Sequence, residues 1–353
     1  EQTLREEPID FVCDGEGPIT VHELLQAIKS GDSVKKVRSL WYREDGCVAH
    51  NVPAPLLDLN AEPALPGWEH MDPRKYYAHD WHAFYADYKL RSPYANPFSE
   101  EGCPFHCDFC NIQSPFRAGE SLAAGAQSYR RLKQELFVAE VKYLVQTYGV
   151  RYFKIPDEMF MLHPGHVLGI AEGVKRRIID ELGVEPNFWC YARIDTCRPE
   201  FLEPMRAAGV RWIAIGIEAA DSKVRSGQDK KFSSEKISDV VARVQAAGIE
   251  GALNYIFGLP GDTMESMQAT LDLAMELNSP FVNLYCCQAL PGAALYRKAK
   301  ESGYPLPERN GGPGWIGHSQ YAYQSEPFYS GSSLTPAQIL KFRDEAHAAY
   351  YSR

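Results

Sequence analysis

From about residue 128 to residue 287 the chain alternates between helical periodicity and short β-rich runs. Five helical segments, several ending at Gly, are interleaved with the runs "VRYFKI", "NFWCYARI", "VRWIAIGIE", "IEGALNYIFG" and "PFVNLYCCQ". Strands that alternate with helices of about 10–15 residues form βα units and a parallel sheet. One further strand is expected just before Cys103, which gives six βα repeats. Six repeats are too few for a closed eight-stranded barrel, so we predict an α/β fold built on an open, partial (β/α)6 barrel.

The regions on either side of this block carry weaker patterns. Residues 1–60 contain one strand, one helix and a hairpin around "REDGC", and residues 61–94 form an aromatic-rich connector. The barrel occupies residues 95–302, and a tail over 303–353 ends in the helical segment "TPAQILKFRDEAHAAYY". In folds of this kind the chemistry lies at the C-terminal ends of the strands.

Composition excludes several classes of function. The net charge of -9 and the lack of a Lys/Arg run argue against binding to nucleic acid. No apolar stretch of about 18 residues is present, so we expect no transmembrane helix, and the acidic start of the chain lacks a secretion signal. Nine unevenly spaced cysteines fit metal-binding or catalytic thiols in a reducing cytoplasm better than disulfides.

Three cysteines stand close together in "EEGCPFHCDFCNIQSPFR", at Cys103, Cys107 and Cys110. Structural zinc sites usually take four ligands, and His106 could be a fourth donor here. A [4Fe–4S] cluster also normally takes four cysteines, so three would leave one iron open to a ligand. A zinc loop or three coincidental core cysteines are the alternatives.

This loop resembles the signature of the radical S-adenosylmethionine (SAM) enzymes, in which an aromatic residue such as Phe109 precedes the third cysteine. The resemblance implies a radical SAM barrel, an open iron that chelates SAM, and an electron that cleaves SAM to a 5′-deoxyadenosyl radical. It also implies a reductant protein such as flavodoxin or ferredoxin. No catalytic residue is assigned beyond the cluster ligands.

The resemblance also assigns polar residues at the strand ends to SAM. In "IPDEMF", Asp157 and Glu158 would replace the Gly-Gly-Glu motif that holds the SAM amino group. Paired carboxylates are suitable partners for an ammonium group. A solvated pair of acidic loop residues is the alternative.

Three later strands supply further candidates. In similar enzymes the positions of Arg193, Asp195 and Glu218 contact the SAM carboxylate or ribose, although a structural ion pair would explain these residues as well. The segment around Asn254 and Gly258 resembles the one that backs the adenine ring, where Gly allows close approach of the backbone. A plain strand-to-helix turn is the alternative there.

The N-terminal segment "IDFVCDGEGPITVHELLQAI" resembles the last strand and helix of a Rossmann-like cobalamin-binding domain. Pro18 departs from the usual pattern, and the matching positions are Asp10, Gly15, Glu16, Gly17, Thr20, Glu23 and Leu24. Four earlier strand–helix units of such a domain would precede Glu1. We therefore expect the chain to be the C-terminal part of a longer protein, with a barrel that lost its cobalamin domain as the alternative. Cobalamin is implied by this resemblance alone.

Other candidates receive no firm role. We expect four further cysteines to pack in the core, namely Cys190, Cys197, Cys286 and Cys287. The alternative for Cys286 or Cys287 is a position at the barrel mouth, where its thiol would serve as a hydrogen donor. Two aromatic and histidine segments either wrap the barrel or line its cavity. They contain His79, Trp81, His82, Trp315, His318, Tyr321 and Tyr323.

Taken together, these features predict a cytoplasmic, cobalamin-dependent radical SAM methyltransferase that acts on an unactivated carbon of a small molecule or peptide. A cobalamin-dependent radical cyclase or isomerase, or a barrel working without cobalamin, is the first alternative. A non-catalytic, metal-stabilised binding protein is the second. The substrate and the oligomeric state are not indicated by the sequence.

Overall fold

The computed structural model describes residues 1–61, 67–79, 82, 87–114, 129–226, 234–303, 306 and 334–353. Five aromatic and histidine candidates of the sequence analysis lie outside these residues, namely Trp81, Trp315, His318, Tyr321 and Tyr323.

A three-stranded antiparallel sheet forms the N-terminal part of the described chain. Its elements are α1 (Gln2–Glu6), β1 (Phe11–Cys13), α2 (Gly17–Ser30), a 3-10 helix (Val34–Lys36), β2 (Leu40–Glu44) and β3 (Cys47–His50). Strands β2 and β3 form the predicted hairpin. Strand β1 pairs with β2, so it completes the same sheet as the hairpin. A small core of its own holds this unit together, consisting of Ala27, Val37, Leu40 and Tyr42.

The remaining elements alternate as the sequence predicts. In chain order they are two 3-10 helices (Pro73–Lys75 and Tyr88–Arg91), β4 (Tyr94–Ala95), β5 (Glu100–Glu101), β6 (Arg130–Arg131), α3 (Gln134–Tyr148), β7 (Tyr152–Lys154), a 3-10 helix (Phe160–Leu162), α4 (Pro164–Val174) continued by a π-helix (Lys175–Asp180), β8 (Asn187–Arg193), α5 (Pro199–Ala207), β9 (Val210–Glu218), α6 (Ser222–Ser226), α7 (Ser234–Ala246), β10 (Glu250–Phe257), α8 (Met264–Leu277), β11 (Phe281–Cys286), α9 (Ala294–Glu301) and α10 (Pro336–Tyr351).

The central sheet has six strands in the order β4-β7-β8-β9-β10-β11, and all neighbours are parallel. The predicted partial barrel is confirmed, including the strand expected before Cys103. One boundary differs: the helix predicted from about residue 128 begins at Gln134. The preceding residues Arg130 and Arg131 are drawn into β6, which pairs antiparallel with β5.

Successive residues of each barrel strand point to opposite sides of the sheet. In β8, Phe188 and Cys190 pack into the large core beneath the helices. Trp189 and Tyr191 face the concave side, which we call the lumen. The strands are therefore covered by helices on one side and line an open cavity on the other.

The predicted C-terminal helix closes one edge of the barrel. Helix α10 begins with a capping box between Thr335 and Gln338. Its Phe342 ring lies edge-on to Phe257 of β10 at 5.0 Å. The Tyr351 hydroxyl donates to the Val282 carbonyl of β11 at 2.8 Å. Helix α10 thereby ties the last two strands together.

Within the described part of the chain, no helix combines the length and apolar character needed to cross a membrane.

Gly258 offers a test of this packing. Its φ of +78° is unfavourable for a side chain, and a Cβ would lie 2.5 Å from Ile339 Cδ1 of α10. We expect Gly258→Ala to lower the free energy of unfolding by about 2–4 kcal/mol, from left-handed backbone strain plus overpacking.

Gly261→Ala is the matched control, because Gly261 has a φ of +88° but no atom within 4 Å of a built Cβ. It should lose only about 1–2 kcal/mol from backbone strain. Urea unfolding of both variants measures the difference, and equal losses would show that α10 does not press on Gly258.

Candidate functional site

The three-cysteine loop lies at the C-terminal end of the parallel sheet, directly after β5. Cys103 is buried, Cys107 and Cys110 are half-buried, and none of the nine cysteines forms a disulfide. The Cys110 amide donates to the Cys107 carbonyl at 3.0 Å. The Gln113 side-chain amide donates to the backbone oxygens of Cys103 and Phe105. The loop is therefore folded back on itself.

The thiol of Cys103 is held in a poorly solvated position. Burial raises its pKa to about 12, and the neighbouring Cys110 and Cys107 groups and the Glu158 carboxylate add to the rise. Cys103 would therefore ionise only with a compensating positive charge beside it. A bound metal ion supplies such a charge and deprotonates a coordinating thiol.

Arg193, the last residue of β8, supplies a positive charge next to the loop. Its Nη1 lies 3.6 Å from Cys107 Sγ, and its guanidinium carbon is 3.8 Å from the centroid of the Phe105 ring. Two further contacts, of 2.9 and 3.0 Å, join it to the carboxylate of Asp195. Arg193 is buried. Its contacts with Cys107 and Phe105 therefore fix the cysteine loop on the end of β8.

The other side of the loop packs on the C-terminal part of the barrel. Phe109 packs against a small apolar cluster that includes Cys287 and Leu295. The Leu295 amide donates to the Asp108 carbonyl at 2.8 Å, and the Asp108 carboxylate pairs with Lys298. Phe109 thus anchors the loop to the start of α9.

The acidic pair after β7 is split between two environments. Asp157 is 2% exposed and accepts hydrogen bonds from the Ser99 amide at 2.8 Å and from the Ser99 hydroxyl at 2.5 Å. Glu158 is exposed, and its charge acts on Cys103 and on Lys154. Of the two predicted residues, Glu158 alone faces the region of the cysteine loop.

Asp157 belongs to a buried polar network that sequence reasoning missed. His166 Nε2 lies 3.1 Å from Ser99 Oγ, and the Tyr129 hydroxyl donates to Glu100 Oε1 at 2.6 Å. With Asp157 ionised, the Ser99 hydroxyl proton points to Asp157, so His166 donates from Nε2. The network joins the residues before the loop to β7 and α4.

Burial sets the protonation of this network. It raises the pKa of Asp157 to about 7 and that of Glu100 to about 9, and it lowers the pKa of His166 to about 4. Among the described residues, Glu100 Oε2 is buried without a hydrogen-bond partner. A carboxylate so placed is poorly stabilised, which favours neutral Glu100 at pH 7.

Glu218 ends β9 in an unusual backbone conformation. It is buried and has a φ of +68°, which is rare for a residue other than Gly, Asn or Asp. The register between β9 and β10 shifts at this point. Backbone strain of this kind is concentrated at functional sites.

The two remaining candidates lie apart from each other. Asn254 faces the lumen, where its Oδ1 accepts a hydrogen bond of 2.7 Å from Asn283. Gly258 lies next to Ile339, and its amide donates to Asp262 at 2.9 Å. The four other cysteine candidates are all buried, as expected for core packing, namely Cys190, Cys197, Cys286 and Cys287.

The donor chemistry of the loop fits an iron–sulfur cluster. Three thiols lie on one loop, and a buried guanidinium that would balance thiolate charge contacts one of them. Among the described residues, no set of three or more His, Cys, Asp or Glu side chains is already gathered around a common point where a metal ion could sit. The fit therefore rests on the ligand types and on Arg193.

A family model describes this same region. The model of the radical SAM superfamily matches residues 100–274, from the start of β5 into α8. This chain belongs to the radical SAM superfamily. The family expected from "CPFHCDFC" is thereby confirmed, and the chain is a radical SAM enzyme.

Individual relatives agree with this assignment. An uncharacterized methyltransferase of Pyrococcus horikoshii is 24% identical over 100% of this chain and 70% of its own length. An anaerobic magnesium-protoporphyrin IX monomethyl ester cyclase of Rubrivivax gelatinosus is 27% identical over 84% of this chain and 50% of the cyclase. The radical SAM methyltransferase TsrM from Kitasatospora setae, solved with cobalamin and a [4Fe-4S] cluster bound, matches with a TM-score of 0.64 at 19% identity.

The last match covers 83% of this chain and 54% of TsrM. At this identity it shows a shared fold. The chain spans about half the length of both TsrM and the cyclase.

The buried network of this radical SAM enzyme gives a prediction about pH. The pKa of Glu100 is raised on folding from 4.5 to about 9, so its protonated form stabilises the fold fully below pH 4.5. That contribution is lost as pH rises towards 9. Glu100→Gln cannot ionise, so its stability relative to the wild type should increase between pH 5.5 and 8.5, by at most about 1.4 kcal/mol per pH unit.

Urea unfolding at several pH values would measure this difference. Glu69→Gln, at an exposed position, is the control and should follow the wild type at every pH. Parallel curves for the wild type and Glu100→Gln would contradict a neutral, buried Glu100.

Proposed function

We propose that this chain is the catalytic part of a cobalamin-dependent radical SAM methyltransferase, acting on an unactivated carbon in a small molecule or peptide. The observation that carries the proposal is the three-thiol loop at the C-terminal end of a parallel partial barrel, with Arg193 3.6 Å from Cys107 Sγ. The methyltransferase names of the relatives from P. horikoshii and K. setae support the reaction class.

The chain's own residues divide into three roles. Cys103, Cys107 and Cys110 hold a [4Fe–4S] cluster, which when bound supplies the electron that cleaves SAM to a 5′-deoxyadenosyl radical. Arg193 balances the charge of the thiolates and fixes the loop on β8. Phe109 fixes the opposite side of the loop on the apolar cluster.

The SAM contacts follow from the positions of the polar strand ends. Glu158 accepts hydrogen bonds from the SAM ammonium, because it is exposed and its charge acts on Cys103. Asp157 acts indirectly, by holding Ser99 and the base of the loop. Asp195 and Glu218 contact the ribose or the amino-acid part of SAM, and the turn at Gly258 lies towards the adenine. Asn254, predicted for the same segment, faces the lumen instead.

Cobalamin is part of this proposal through the relatives, since TsrM was solved with cobalamin bound. Residues 1–60, whose segment over β1 and α2 resembles in sequence the end of a cobalamin-binding domain, would lie at its boundary with the barrel. When bound, cobalamin would carry the methyl group. We assign no cobalamin contact to an individual residue of this chain.

The regions and surroundings of the barrel complete the proposal. A connector over 61–94 joins residues 1–60 to the barrel at 95–302, and the tail over 303–353 supplies α10. A small electron-transfer protein such as flavodoxin or ferredoxin reduces the cluster. The site of action is the cytoplasm, where the thiols stay reduced.

A second candidate is a radical cyclase that uses the same cofactors without methyl transfer. The observation in its favour is the 27% identity to the magnesium-protoporphyrin IX monomethyl ester cyclase of R. gelatinosus. The products separate the two candidates, because methyl transfer from SAM leaves S-adenosylhomocysteine and cyclisation does not.

The first test is anaerobic turnover. The chain is reconstituted with iron and sulfide and supplied with SAM, hydroxocobalamin and dithionite. We expect 5′-deoxyadenosine from the wild type and at least a 100-fold loss with Cys103→Ala, because one cluster ligand is missing. S-adenosylhomocysteine that forms only with cobalamin supports methyl transfer.

Cys47→Ala is the matched control for this test, since Cys47 is an exposed thiol in the N-terminal hairpin. It should retain full activity. Iron bound at stoichiometric levels without any cleavage of SAM would contradict the proposed function.

The role of Glu158 is tested through the affinity for SAM. Glu158→Gln removes a charge-assisted hydrogen bond worth about 1.5–3 kcal/mol, which corresponds to a roughly 10- to 100-fold higher KM for SAM. The iron content should stay the same. Glu276→Gln, at an exposed position of α8, should leave KM unchanged. A normal KM in Glu158→Gln would remove Glu158 from the SAM site.

A further inference from the structure

The lumen of the barrel has a composition that selects its ligand. It is a cavity of about 480 Å³, within the range of sites for small molecules. Its described lining contains one lysine and no carboxylate. Aromatic rings make up much of the wall, with Tyr94, Trp189, Tyr191, Phe281 and Tyr285 among them.

Lys154 is the charged group of this wall. It ends β7, and its ammonium lies 4.6 Å from the centroid of Trp189 and 5.4 Å from that of Tyr191. It is half-buried, and burial lowers its pKa, which the charge of Glu158 only partly offsets. No ion pair within 4.0 Å joins Lys154 to an acidic residue of the described chain. The two rings hold the ammonium in place without neutralising it.

Hydrogen-bond donors accompany this charge. Asn283 donates from Nδ2 to Asn254 Oδ1 at 2.7 Å, which fixes the orientation of both amides. Among the described residues, the one hydrogen-bond contact of Asn254 Nδ2 is with the Ala252 carbonyl, at 3.5 Å. Its N–H groups are therefore available to an acceptor in the lumen, which adds to the preference of this wall for electron-rich groups.

We propose that the lumen binds the substrate, and that the substrate is a small planar organic anion whose carboxylate or phosphate pairs with Lys154. Its ring lies against the aromatic wall, since π-faces pack favourably on planar groups. The ammonium is a compact charge suited to either anion. Small residues on β9 and β10, Ala214 and Ala252, leave room for the ring.

This proposal rests on the proposed function, because it assigns the occupant of the lumen as the substrate. The cysteine loop and the lumen are connected through β8. Tyr191 of this strand lines the lumen, and Arg193, two residues further on, contacts the cysteine loop. A ligand in the lumen would therefore lie directly below the proposed SAM site.

The test measures binding to the full chain with its cluster reconstituted, in the absence of SAM. The probes are 2-naphthoate, 2-naphthyl phosphate and the neutral isostere 2-naphthamide, followed by isothermal titration calorimetry. We expect at least one anion to bind the wild type at least 10-fold more tightly than 2-naphthamide. Comparison of the two anions distinguishes a carboxylate from a phosphate.

Lys154→Met should weaken the preferred anion at least 10-fold and leave 2-naphthamide unchanged, and Lys154→Arg should restore most of the affinity. Lys29→Met, on the exposed side of α2, carries the same change in charge and should bind as the wild type. Equal binding of anion and amide by the wild type, or no binding of any probe, would overturn the proposal without the use of a variant. Normal anion binding by a folded Lys154→Met would overturn it as well.

This outcome is separate from that of SAM cleavage. Anion binding that depends on Lys154 can hold even if no 5′-deoxyadenosine forms, and SAM cleavage can hold if the anion preference fails.

Discussion

Hydrogen bonding between parallel strands is the constraint on which the rest of this structure depends. Strands β4 and β7 to β11 pair in sequence order and in one direction. Their C-terminal ends must therefore meet at the same edge of the sheet. Arg193 and Glu218 are distant in sequence from Cys107, and the parallel sheet alone brings their strand ends to the side where the cysteine loop lies.

At this edge the buried guanidinium and the buried carboxyl groups lie in different places. The positive charge of Arg193 lies against a thiol and an aromatic ring, with Asp195 as its partner. The carboxyls of Glu100 and Asp157 lie beneath the loop in the buried network, where their pKa values are raised. Burial therefore disfavours negative charge beneath the loop, and the Arg193 guanidinium contacts the loop from the side.

Much of the fold was predictable because it depends on local patterns. The alternation of apolar residues along the chain identified five of the six barrel strands, and the need for a strand before Cys103 supplied the sixth. The start of α3 was misplaced because Arg130 and Arg131 form β6 with Glu100 and Glu101. That pairing spans about 30 residues of sequence and leaves no local signal.

The candidate site was predictable only in part. Three closely spaced cysteines indicate metal binding directly, because thiols are scarce in proteins and are good metal ligands. Asp157 and Glu158 are adjacent in sequence, yet one is locked to Ser99 and the other is exposed. The sequence does not indicate which of the two residues is buried. The pattern "SE" at Ser99 and Glu100, and the lone His166, gave no sign of the network that they form.

The sequence by itself determined the family, the parallel fold and the position of the three-cysteine loop, because each depends on the short-range spacing of residue types. The tertiary structure decided which polar groups are buried and which face the lumen. Lys154 illustrates the difference: in the sequence it is one of many lysines, and the register between β7 and β8 places it beside Trp189 and Tyr191. Burial and charge environment arise from contacts between distant strands, and spacing along the chain does not encode them.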